Sequence, residues 1–122
     1  MEEKLAFIEK WDPFSAKKIR ALLEKKPIMV EEKNVYGEIY TERQFQIALD
    51  QILKREEARS RVCEAIAEEV KPVRVIAKDV GMEPADVLRH IVELRRRNLV
   101  EIDHIEDGKV PYYRYTAPGG LS

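Results

Sequence analysis

Ala77 stands four residues before Gly81 in the run Ile76-Ala77-Lys78-Asp79-Val80-Gly81-Met82, and this spacing constrains the fold more than any other feature. Two helices joined by so short a turn cross closely, and a side chain beyond methyl would collide at the crossing. The turn needs a residue at ease with positive φ, which glycine supplies. The flanking residues agree. Pro72 opens a compact helix over 73–80 whose Ile76 and Val80 point inward. Met82 is the apolar turn residue, and Glu83 with Pro84 opens the next helix, where Val87, Ile91 and Leu94 form an inward face. Asn98 can take the left-handed cap conformation that often ends a helix. Leu99, Val100 and Ile102 then lead into a strand. Asp107-Gly108 reads as a hairpin turn, and Val110, Tyr113 and Tyr115 alternate on the return strand.

Upstream, Leu5, Ile8 and Trp11 mark a first helix, and Asp12-Pro13 caps a second that carries Ile19, Leu22 and Leu23 and stops before Pro27. Ile28, Val30, Val35 and Ile39 alternate with polar neighbours, so residues 28–40 read as a weak hairpin. Thr41 and Gln44 form a capping-box pair ahead of the stripe Phe45, Ala48, Leu49, Ile52 and Leu53. From Arg55 to Arg61 only Ala58 is apolar; Val62, Ala65, Ile66 and Val70 then resume the spacing. Either one long helix crosses 41–70 with a solvated waist or two helices meet near Arg59; with no breaker inside, the single helix is favoured. The division is 1–57 for a helical extension serving dimerisation or docking, 58–116 for the second domain, and 117–122 for a flexible tail.

The segments 76–82, Val87-Leu88-Arg89-His90-Ile91-Val92-Glu93-Leu94 and Asn98-Leu99-Val100 together resemble the arsenic-sensor and multiple-antibiotic-resistance repressor families, over about 55 residues. The resemblance implies a mainly α fold: a winged helix-turn-helix with a two-stranded β-wing and an N-terminal helical extension. Ala77, Gly81, Val87, Ile91, Leu94 and Gly108 would be its structural positions. Asn98 departs from the pattern, which mostly has Gly there, and the first 60 residues match no family. The families' function would put the second motif helix in the major groove of DNA and the wing on its backbone.

Charge tempers that expectation. The chain carries 22 Lys and Arg against 23 Asp and Glu, a formal net charge of −1. Between Val73 and Thr116 there are eight basic and eight acidic residues, so the basic footprint behind most non-specific DNA affinity is missing. Arg89, His90, Arg96, Arg97 and Lys109 are the DNA-binding candidates. Asp86 and Glu93 share the helix with them, and Glu101, Asp103, Glu106 and Asp107 outnumber Lys109 on the wing. The basic run Arg95-Arg96-Arg97 also opposes the macrodipole at a helix C-terminus. Leu88 and Val92 widen the apolar face beyond what a core needs, which suits a partner protein.

No catalytic motif, phosphate loop, metal-ligand spacing or cofactor signature is present in the sequence; His90 and His104 have no second His or Cys nearby. Cys63 is alone and reads as core filler in a reducing cytoplasm. No signal peptide is legible, and the longest apolar run, Leu5 to Ile8, is far short of a membrane span. Three Gln and two Asn among dense Lys, Arg and Glu give a thermophile-like composition. Two functions remain open. One is a dimeric DNA-binding transcriptional regulator, paired through the N-terminal helices and the 41–70 helix. The other is an adaptor or non-catalytic subunit that docks on a larger protein complex.

Overall fold

The computed structural model describes residues 1–31 and 41–117. The chain divides into two compact units, Met1–Glu57 and Ala58–Ser122. It is mainly helical, with one two-stranded antiparallel sheet among the described residues. None of the described helices is long and apolar enough to cross a membrane.

The first unit is built from α1 (Glu2–Trp11), α2 (Pro13–Glu24), α3 (Lys26–Glu31) and the first part of α4 (Glu42–Ala65). Asp12 separates α1 from α2 and caps the latter: its carboxylate accepts from the Ser15 amide at 3.1 Å and the Ser15 hydroxyl at 2.7 Å. Pro13 follows in the first turn, where a missing N–H removes no helical bond. Thr41 and Gln44 form a reciprocal box at the start of α4, with bonds of 2.9 and 3.0 Å. Leu5, Ile8, Ala16, Ile19, Phe45, Leu49 and Leu53 make the core, flanked by Leu22, Leu23, Met29, Val30 and Ile52.

Three expectations change here. Ile28 and Val30 lie in α3, so the expected hairpin at 28–40 does not begin there, and its remainder, 32–40, lies outside the described residues. Pro27 sits in the first turn of α3, where proline is compatible with a helix. Ala48 is exposed, one step off the buried stripe. That stripe does not open into a solvated waist: Glu56 and Ser60 are buried, continuing the spacing Leu49, Leu53, Glu56, Ser60, Cys63 at intervals of three and four residues. Helical phase, rather than side-chain polarity, decides which residues of α4 face inward.

α4 ends at Ala65, short of Val70, and its last part belongs to the second unit. The chain turns and bends over 66–69 before Lys71, whose backbone exchanges two hydrogen bonds with Tyr113, at 3.3 and 2.9 Å. α5 (Val73–Val80) and α6 (Pro84–Arg96) follow, then β1 (Val100–Glu106) and β2 (Val110–Tyr115). α5 packs on α6 and β2, and α6 packs on β1. The buried residues are Val62, Cys63, Ile66, Ile76, Ala77, Val80, Val87, Ile91, Leu94, Leu99, Val100 and Tyr113.

Both helix ends are closed by left-handed residues. Gly81 has φ +70°, and the Ala77 carbonyl accepts from the amides of Gly81 and, at 3.0 Å, Met82. Asn98 has φ +61°; its amide donates to the Arg95 carbonyl and the Leu99 amide to the Leu94 carbonyl, so apolar Leu99 folds back under the helix. In the hairpin turn Asp107 and Gly108 both have positive φ, and Lys109 donates to the Glu106 carbonyl at 2.9 Å.

The strand register decides what the hairpin shows. Val100 pairs with Tyr115 and Ile102 with Tyr113; after an irregularity between Ile102 and His104, His104 pairs with Tyr112, Ile105 with Pro111 and Glu106 with Val110. With period-two alternation on each side of this bulge, Val100, Ile102, Ile105, Pro111, Tyr113 and Tyr115 share one face. Val110 does not alternate with Tyr113 and Tyr115 as expected. It lies on the opposite face with Glu106 and is exposed. The tail 118–122 lies outside the described residues.

Candidate functional site

α6 is positioned by Val87, Ile91 and Leu94, which are buried, and by Ala77 on the neighbouring α5, also buried. Gly81 and Gly108 hold the two turns. Helical spacing then places Ala85, Leu88, Arg89, Val92, Arg95 and Arg96 along the outer side, and all six are exposed. Leu88 is 46% exposed and Val92 54%, one turn apart. These are large apolar groups left in water on the helix that sequence reasoning singled out.

Of the basic candidates, all but Lys109 are engaged by other side chains. Arg89 lies 3.3 Å from Asp86 on the same helix. Glu93 takes two guanidinium groups at once, Arg96 at 3.1 Å and Arg97 at 3.2 Å. Pairs this close to solvent contribute little to stability, yet their carboxylates offset part of the positive charge a phosphate would meet. His90 is half-buried and accepts from Arg59 Nε at 3.4 Å through its Nδ1, which ties it to α4 rather than to the outer face. Lys109 is exposed in the hairpin turn beside Glu106 and Asp107. Arg95 and Lys109 form no ion pair among the described residues.

The hairpin adds groups that sequence reading missed. Ile105 is 52% exposed and Val110 43%, close to the turn. Straight alternation from Val100 and Ile102 would put Ile105 on the other face; the bulge returns it to theirs, where it is exposed near the turn. On the face opposite Ile105, the one that also carries Val110, His104 stacks on Tyr112, with ring centroids 4.6 Å apart. Its Nδ1 is 2.7 Å from Asp103 and its Nε2 is 3.7 Å from Glu106. At the base of the hairpin Arg114 pairs with Glu101.

The hydrogen bond to Asp103 raises the His104 pKa above the usual 6.5, and Glu106 adds to the shift against a smaller opposing desolvation. Glu106 also raises the Tyr112 hydroxyl above its usual range. A raised folded-state pKa stabilises the hairpin fully below the unfolded value, and that contribution is lost as pH rises through the folded value. In an NMR titration the His104 ring proton should therefore show a midpoint above 6.5, and Asp103→Asn should lower it. A native midpoint at or below 6.5 would contradict the arrangement.

The second unit also has an open cleft of about 600 Å³, lined by Arg61, Glu64, Ala65, Glu68, Glu69, Lys71, Asp79 and Val80. Its two cations are engaged: Arg61 donates to the Val80 carbonyl at 2.6 Å, and Lys71 pairs with Asp79 at 2.7 Å. The acidic remainder offers nothing to a phosphate.

No protein-family model, curated protein or solved structure matches the chain.

Proposed function

We propose that residues 58–116 form a winged-helix module that docks protein, in a non-catalytic, cofactor-free cytoplasmic adaptor or subunit. The observation that carries this reading is the pair of exposed apolar groups, Leu88 and Val92, on the outer side of α6. Covering what remains exposed of each is worth about 1 kcal/mol. The polar groups around them are arginines: Arg89 and Arg96 partly satisfied by their own helix, and Arg95 beyond. The complementary surface has an apolar centre and an acidic rim.

DNA suits this face less well. A winged helix on DNA brings its hairpin to the sugar-phosphate backbone, and here the outer hairpin carries Asp103, Glu106 and Asp107 against Lys109. Those carboxylates repel phosphate where the counterion-release term would otherwise supply affinity. A DNA-binding regulator is the second reading, favoured by exposed Arg95 and Lys109. A gel shift with duplex DNA at about 50 mM salt separates the two, since electrostatic binding is strongest there. The native chain is expected to give no complex, whereas Glu106→Lys with Asp107→Asn gains weak, sequence-independent binding. A salt-sensitive complex with the native chain would return the regulator reading.

A further inference from the structure

We infer that the hairpin tip of a second copy of this chain occupies the outer face of α6, so that two copies pair reciprocally. The inference rests on the protein-docking reading and names the partner of that same face.

The complement that α6 calls for is present on the chain itself. Leu88 and Val92 form the apolar centre of the helix strip, with Arg95 and Arg96 one turn further on; Asp86, also exposed on α6, is paired with Arg89. Near the hairpin turn, Val110 is exposed on the face that carries Glu106 and Ile105 is exposed on the other, with Asp107 and Lys109 in the turn between them. The two surfaces can meet branched apolar group to branched apolar group, with the carboxylates of Glu106 and Asp107 against the guanidinium groups of Arg95 and Arg96. In the first unit the main apolar stripes of α1, α2 and α4 meet one another in its own core, and its exposed Phe14, Ile28 and Ile47 lie on three different helices. A contact of strip on tip, repeated with the roles exchanged, closes into a two-fold dimer and buries both patches of both copies.

Reciprocity gives a test that a fold defect cannot imitate. Variant one is Arg95→Glu with Arg96→Glu; its altered strip meets its own acidic tip. Variant two is Glu106→Lys with Asp107→Asn, where asparagine tolerates the positive φ of the turn; its tip meets its own basic strip. Sedimentation velocity of the full chain is expected to show a dimer for the native protein at micromolar concentration and a monomer for each variant alone. An equimolar mixture of the two should recover a dimer, since both contacts then pair opposite charges. Circular dichroism checks that each variant is folded. A native monomer at about 100 µM, a Kd that corresponds to less than about 6 kcal/mol, would overturn the inference. So would a native dimer that both variants leave intact. A monomer that also shifts no DNA removes the second copy while leaving the docking reading standing; a DNA complex removes that reading itself.

Discussion

Truncation of Ile91 to alanine destabilises the protein by about 2–5 kcal/mol. Ile91 is fully buried on the inner side of α6, and shortening it removes the apolar atoms and leaves a cavity that the surrounding elements fill only in part. Its neighbour in sequence, Val92, points outward and is half-exposed, so Val92→Ala should change stability by less than about 0.5 kcal/mol. Urea unfolding followed by far-ultraviolet circular dichroism measures both. Equal losses at the two positions would mean that the face of α6 assigned to docking belongs to the core.

Gly81→Val lowers stability by about 2 kcal/mol or more. The cause is the backbone alone. A Cβ built at Gly81 meets nothing within 4 Å, so no clash contributes, whereas φ of +70° is costly for any L-residue and worst for a β-branched one. The order of loss should therefore be Val, then Ala, then Asn. Asn98 already fills the equivalent place at the end of α6, with φ +61°. A valine variant that melts with the native protein would contradict the left-handed assignment.

The second unit was legible because its sequence states backbone requirements directly. Gly81, Asn98 and Asp107-Gly108 each stand where a left-handed residue is needed, and Val87, Ile91 and Leu94 keep strict helical spacing between them. The pairing of Lys71 with Tyr113 was not legible, because a single bridge leaves no periodicity to read. The face that Ile105 occupies was not legible for a related reason: one bulged residue reverses the inside-outside phase of every residue beyond it. On α4, Glu56 and Ser60 look like solvent residues by chemistry and are interior residues by phase. α2 does stop before Pro27, but the chain then opens a further short helix, α3, with Pro27 in its first turn. The outer strip of α6 was visible as surplus Leu and Val. That its arginines are engaged by Asp86 and Glu93 follows from three- and four-residue spacing, which a charge count does not weigh.

The central claim is that the outer face of α6 meets protein and not DNA. The most direct measurement is methyl NMR of Leu88 and Val92 in the full chain, recorded once while protein concentration rises and once while duplex DNA is added at low salt. The account predicts methyl shifts that follow protein concentration and do not respond to DNA. Methyl resonances that move on addition of DNA, and stay fixed as the protein is concentrated, would contradict it.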